Sequence, residues 1–372
     1  MSIIDQFQQI SIERQDQISL DNQEIEEDHI EKVNFSFDDF IIKNGEQNLH
    51  HVIGFDINDF NALYKFLKPQ IIQIGRGRRS IGEKEKLFLF LTWASTGLSF
   101  SKLSTMLNIP KTKIYRSVIF ITNRIRGKLI SKFLPVSGEE ARGYPQNRKF
   151  LNFPNAIGAV DSSIIKIRRP ENNEEQKKFY SGKHKKHCIK FQCIVNPDGI
   201  CIHYSGIYPG KKHDVKIFEQ SRAHVFFEFS KRLPNGNQIK VRSQLLADSG
   251  YQGSHRFYEE IIIPHKKLPH QELQQEEKIQ NARLSTDRII VEIFFGRMKS
   301  LFGITYSEFR GEFNLLNEIV PIIICLTNYH IHRHPLRKTV INNEELSNSD
   351  SFSDFNPEEE DNEMHSFNLN LE

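Results

Sequence analysis

The stretch Asn155–Ser163, NAIGAVDSS, constrains the fold more than any other part of the chain. Its apolar run Ala156–Val160 breaks off at Asp161 and two serines. A short apolar run bounded in this way reads as a buried strand that delivers a carboxylate to a sheet edge. Two later stretches do something comparable. Gln244-Leu245-Leu246-Ala247 leads into Asp248, and an apolar-faced helix expected over Thr286–Phe302 carries Glu292 near its centre. Three acids on separate elements, 87 and 44 residues apart, suggest a divalent-metal site for phosphoryl transfer.

Each acid alone has a plainer reading. Asp161 is then a turn former, Asp248 the head of an Asx turn, and Glu292 part of an ion-paired helix face between Arg288 and Lys299. Taken together the acids are harder to dismiss. Two of them end apolar strands, and the helix bearing the third turns Ile289, Ile293, Phe294, Met298 and Leu301 the other way. Gly296, one turn past Glu292, leaves room for a ligand. Strand, hairpin, strand and helix in this order are what an RNase H-like sheet needs to bring three carboxylates together.

Hydrophobic content of 38%, with 29 phenylalanines, is enough for a sizeable core in 372 residues. The four cysteines, Cys188, Cys193, Cys201 and Cys325, are too scattered for a disulfide framework and favour a reducing compartment. Nor does their spacing match a zinc-binding pair. No secretory leader opens the chain, and the longest apolar runs, near Leu87–Trp93 and Val320–Leu326, fall short of a membrane span. A soluble intracellular protein without membrane contact is expected. Its formal charge of +3 hides an asymmetry: residues 1–40 hold eleven acids and two bases, and 341–372 hold ten acids and no base, so 41–340 carry a net +22. A basic middle of that size is an electrostatic footprint for a polyanion.

These patterns divide the chain into an acidic, disordered 1–50, a helical domain over 51–135, a linker at 136–154, a strand-rich domain over 155–335 and an acidic tail at 340–372. A helix capped by Asp56 or Asn58 is expected over Asp56–Phe66, with Pro69 beyond its end. Gly75–Ser80 offers an arginine hook, Arg76, Arg78 and Arg79, able to reach phosphates or a minor groove. Ser99 caps a short helix, Phe100–Leu107, and Asn108-Ile109-Pro110 turns into a longer one, Lys111–Arg126. The pair reads as a helix-turn-helix whose exposed first turns, with Lys111, Lys113 and Arg116, would face DNA. A purely structural helical hairpin has the same periodicity. Further on lie a basic loop, Lys177–His187, a hairpin of Cys188–Val195 with Ile200–Ile207, a helical segment near Ser254–Glu260 and a last helix, Phe313–Tyr329.

Six blocks carry a resemblance: AIGAVDSS (156–163), FYSGKHKKHCIKFQCIVNPDG (179–199), YPGKKHDVKIF (208–218), LLADSGYQG (245–253), PHKK (264–267) and LSTDRIIVEIFFGRMKSLFGI (284–304). In this order they resemble the nuclease domain of PIF/Harbinger-type DDE transposases, a DDE superfamily endonuclease domain related to bacterial insertion-sequence transposases. The helical segment 83–126 is similar to the helix-turn-helix that precedes that domain. Ser162 stands where many members have glycine. The resemblance implies an α/β, RNase H-like mixed sheet with flanking helices behind an all-α helix-turn-helix domain. It matches Asp161, Asp248 and Glu292 to the catalytic, metal-binding acids, with Asp214 as a further metal contact. It also implies two Mg²⁺ (or Mn²⁺) ions, and strand cleavage and transfer on double-stranded DNA, both element ends and target. Lys183, Lys185, Lys186, Arg288 and Lys299 would then line the phosphate path. A homo-oligomer, a Myb-like accessory protein and, in a eukaryote, a nuclear location go with that likeness. A domesticated descendant that binds or cuts DNA without transposition is the alternative.

Overall fold

The computed structural model describes residues 35–72, 81–135, 137–143, 148–223, 227–232, 238–267 and 272–336. The arginine hook Arg76–Arg79, most of the acidic N-terminal stretch and the acidic tail lie outside them. The described residues form one compact unit.

Helices come first: α1 (Phe37–Asn44), α2 (Leu49–Ile53), α3 (Ile57–Ile71), α4 (Glu83–Thr96), α5 (Phe100–Leu107), α6 (Lys111–Phe133) and α7 (Gly138–Gly143). Asp56 caps α3, its carboxylate accepting from the Asp59 N–H at 2.8 Å. Pro69, expected beyond that helix, lies inside its last turn. α4 is buried on every side from Lys86 to Ala94 and forms the axis of this layer. Disorder up to residue 50 does not hold for its last part. Phe37 stacks on Phe60 with ring centroids 4.5 Å apart, and Phe35 and Phe40 pack on Phe88 at 5.6 and 4.9 Å. Three aromatics within six residues find a hydrophobic seat that offsets the ordering entropy of an otherwise polar segment.

Ser99 caps α5 by accepting from the Lys102 N–H, and Asn108 turns the chain in the left-handed conformation at φ 51°. α6 continues to Phe133, two turns past its expected end, because Leu129 and Phe133 extend its buried stripe. Lys111, Lys113 and Arg116 are exposed in its first turns.

Strand β1 (Ala156–Lys166) opens the second half, followed by α8 (Asn173–Phe179), β2 (Tyr180–Ser181), β3 (Lys186–Val195), β4 (Cys201–Tyr204), β5 (Tyr208–Pro209) and α9 (Asp214–Gln220). Then come β6 (Glu228–Arg232), β7 (Gln238–Arg242), β8 (Gln244–Leu246), β9 (Ile261–Ile262), α10 (Gln275–Leu301) and α11 (Phe313–Arg333). The sheet is mixed, in the order β2-β3-β1-β8-β9, with β4 and β5 also paired to β3. β1 runs antiparallel to β3 and parallel to β8, which is parallel to β9. β6 and β7 form a separate hairpin.

Alternation along the strands separates the two faces. Val160, Ile194, Leu245 and Ala247 join a core with Phe218, Tyr251 and Tyr258 on the α9 side. Phe191, on the opposite face, meets Phe295 of α10 at 6.0 Å. Four features differ from expectation. β1 does not stop at Asp161 but runs on to Lys166, because β3 stays paired with it as far as Cys188. α10 begins at Gln275, where Gln274 and Glu277 form a capping box, rather than at Thr286. Its buried stripe is Ile290, Val291, Phe294, Phe295, Met298 and Leu301, while Ile289 stays 44% exposed. Ser254–Glu260 yields only a 3₁₀ turn at Ser254–Arg256. All four cysteines are buried and free.

Candidate active site

Parallel pairing brings the first two acids side by side. Ala159 of β1 is in register with Leu246 of β8, and Asp161 and Asp248 each lie two residues further on, toward the same face. Adjacent strands are spaced about 4.8 Å apart, so the carboxylates leave the sheet as neighbours. Asp161 sits within β1 opposite Cys193, and its Oδ1 accepts from the Ser162 N–H at 2.7 Å. Asp248 lies where β8 has ended and caps the next turn, accepting from the Gly250 N–H at 2.8 Å.

Asp214 joins them from the first turn of α9. Ser162 points to the opposite face from Asp161, and its hydroxyl donates to Asp214 Oδ1 at 2.6 Å. The buried Lys190 ammonium donates to the same oxygen at 3.2 Å. Gly250 lies between two of the acids: a Cβ there would stand 2.9 Å from Asp248 Oδ1 and 3.3 Å from Asp214 Oδ2.

The three aspartates act on one another electrostatically. Burial pushes the Asp161 carboxyl up to about 6, with Asp248 and Asp214 adding to the rise, while the Ser162 N–H and Arg288 oppose it. The fully buried Tyr251 phenol is raised by burial and then by Asp214, Asp161 and Asp248. These acids form a concentration of negative charge that an incoming cation would relieve.

α10 contributes the opposing charge. Arg288, Glu292 and Lys299 are four and eleven residues apart and so line one stripe of the helix. Arg288 Nη2 donates to Glu292 Oε1 at 3.1 Å, and the arginine side chain is only 15% exposed. Its Nη1 is buried with no hydrogen-bond partner among the described residues. The Lys299 ammonium is drawn below its ordinary value by burial, against the attraction of Asp161. Desolvation, then Lys183 and Lys190, lower the imidazole of His184 in the basic loop, against the pull of Asp214. Glu292 itself stays at the rim, its side chain 54% exposed and occupied by Arg288. Asp161, Asp214 and Asp248 are thus gathered, and Glu292 meets them through an arginine.

Sequence reasoning missed Ser162 and Lys190, which fix Asp214. It also missed a second cluster: among the described residues, Asp56, Asp59 and His334 bring three ligand-type atoms within 4.8 Å of one another. That cluster is already neutralised, since the buried Asp59 pairs with Arg333 and, at 2.7 Å, with His334 Nε2. It reads as a clamp between α3 and the end of α11. The aspartate group around Asp161 is spread wider than that cluster but offers the donor chemistry a hard divalent ion prefers. Its donors are carboxylate oxygens, and two of the acids flank a glycine. Lys183, Lys185 and Lys186 are exposed in the neighbouring loop.

The mixed sheet and flanking helices are consistent with what comparison with known proteins finds. Residues 160–328 match the family described as DDE superfamily endonuclease. A relative, the probable transposase for insertion sequence element IS702 of Microchaete diplosiphon, is 28% identical over 189 residues. The match covers 50% of this chain and 62% of that relative. No solved structure matches the chain. No helix among the described residues is long and apolar enough to cross a membrane.

Proposed function

We propose that the chain is a DDE transposase that binds element-end DNA and performs metal-dependent strand cleavage and transfer, with Asp161, Asp248 and Glu292 as its catalytic acids. The observation that carries this is the Ala159–Leu246 register, which sets Asp161 beside Asp248, in a stretch matching DDE endonucleases. Asp161 and Asp248 would hold a Mg²⁺ or Mn²⁺ ion, with Asp214 behind them and Glu292 completing the set once released from Arg288. A pair of such ions, when bound, supplies an activated hydroxyl and steadies the leaving oxygen. The chain's own residues do the rest. Ser162 and Lys190 hold Asp214 in place; Arg288, Lys299 and the loop carrying His184 present positive charge where a phosphodiester would lie.

The remaining parts of the proposal rest on sequence. The strand-rich half is read as an RNase H-like nuclease domain, and α5 and α6 as a helix-turn-helix presenting Lys111, Lys113 and Arg116 to DNA. The PIF/Harbinger subtype, a homo-oligomer, a Myb-like accessory partner and a nuclear location in a eukaryote belong to the same reading. One observation favours the alternative, a domesticated DNA-binding or nuclease protein without transposition: Glu292 is spent on Arg288 at the rim.

Asp161→Asn, Asp248→Asn and Glu292→Gln test the proposal on DNA carrying the element's ends. Each is expected to lower Mg²⁺-dependent cleavage by on the order of 10³ while duplex binding persists. Cleavage at the wild-type rate by a variant would remove that residue from the site. Loss with the two asparagine variants but not with Glu292→Gln would favour the alternative.

A further inference from the structure

An open pocket of about 270 Å³ is lined by Lys178, Pro209, Lys211, Lys212, His213 and Lys216, the last two either side of Asp214 in the chain. Four lysines and a histidine with no acid among them are an unusual lining. Lysine stems and Pro209 make apolar walls, as is usual where the charged heads stay in solvent. The volume is below that of a typical cofactor or drug-sized pocket, and the positive charge selects against a neutral occupant. Such a site fits one small anionic group on a larger molecule.

The pocket is built rather than incidental. The Lys211 N–H donates to the Lys178 carbonyl at 3.2 Å, and the Lys212 N–H to the Pro209 carbonyl at 2.9 Å, tying the loop to the end of α8. Lys212 lies over the Tyr208 ring, 5.5 Å from its centroid. Lys216 pairs at 2.8 Å with Glu219, but with side chains 61% and 44% exposed, an exchange for phosphate is inexpensive. The floor connects to the acids: the Lys190 ammonium donates both to the Lys212 carbonyl, at 2.9 Å, and to Asp214 Oδ1, at 3.2 Å. A group seated in the pocket is therefore one buried lysine away from Asp214.

We propose that this pocket holds a backbone phosphate of the DNA duplex, neighbouring the phosphodiester presented to Asp161 and Asp248. The inference rests on the DNA-cleaving reading above and adds a positioning site to it. The phosphate sets the strand relative to the acids, and its contact is blind to base sequence.

The test uses the full chain and a labelled duplex of about 30 base pairs, titrated at several salt concentrations. The double variant Lys211→Gln, Lys216→Gln is compared with Lys211→Arg, Lys216→Arg, and thermal midpoints are measured alongside. For the glutamine pair, affinity near 0.1 M salt is expected to fall about 5- to 20-fold, with a salt slope shallower by about 1. Cleavage by that pair should fall further than the binding loss accounts for. The arginine pair should restore both, and the midpoints should stay unchanged. Wild-type affinity, slope and cleavage in the glutamine pair would overturn the pocket while leaving the nuclease reading intact. A wild-type chain that neither binds nor cuts the duplex would overturn both. Tight capture of inorganic phosphate, lost in the variants without change in duplex affinity, would assign the pocket to a free anion instead.

Discussion

At the residue scale the decisive group is Asp161. A carboxyl pushed up to about 6 from 3.8 binds its proton more tightly in the native state than in the unfolded chain. The native charge therefore costs stability above about pH 6, and the cost fades as the pH falls from 6 toward 4. Its size is on the order of 1–3 kcal/mol. Asp161→Asn should thus raise the thermal midpoint of the metal-free protein by a few degrees at pH 7.5, and hardly at all at pH 4.5. Mg²⁺ should stabilise the wild type and not the variant. A metal-free variant that melts below wild type at pH 7.5 would show that the charge is not strained. Gly250→Ala places a methyl group 2.9 Å from Asp248 Oδ1 and 3.3 Å from Asp214 Oδ2. Cleavage should drop more than about tenfold, with stability changed by only about 1 kcal/mol; unaffected cleavage would mean that these carboxylates can move freely. Asp161 and Asp248 were legible in the sequence because each follows a short apolar run. Lys190 was not, since nothing in CIKFQC distinguishes a buried lysine serving Asp214 from a solvated one.

At the element scale, one side chain joins the helical layer to the sheet. The buried Asn328 on α11 donates to the carbonyls of Phe133, at 2.7 Å, and Cys201, at 2.8 Å, and accepts from the Cys201 N–H at 2.9 Å. Asn328→Ala leaves three buried backbone groups unpaired and should cost about 3 kcal/mol or more, measured by urea denaturation. A loss under about 1 kcal/mol would mean that water or another side chain replaces the amide. Most elements were legible where an apolar run or stripe is bounded by turn or cap residues, as in α5, β1 and β3. Boundaries were lost where tertiary contacts decide them. α6 and α11 run past their expected ends because buried partners continue, and α10 starts early on a capping box in a polar stretch. In the apolar stripe of α10, Phe294, Met298 and Leu301 are buried as expected, but Ile289 was expected inward and Ile290, Val291 and Phe295 were passed over. The plainer reading of Glu292, an ion-paired helix face with Arg288, is what the structure shows, beside the expected phosphate contact for Arg288.

At the scale of the whole molecule, charge is the argument. The net +22 over 41–340 predicts that duplex affinity falls steeply with salt, by about 10³ or more between 50 and 200 mM if six or more phosphates are contacted. A flat response would remove the polyanion footprint. Folding collects part of that charge, in Arg288, Lys299, Lys190 and the loop of His184, around three aspartates that lie far apart along the chain. Composition located the basic middle, but only the β1–β8 register and α9 could bring the acids into it. The structure also offers a rival cation site, Asp56, Asp59 and His334. Anomalous diffraction from crystals soaked in Mn²⁺ separates the two directly. The expected peak lies between the carboxylates of Asp161 and Asp248 and disappears in Asp161→Asn. A peak only at Asp56, Asp59 and His334, or no peak beside Asp161, would contradict a metal-dependent nuclease centre at this sheet edge.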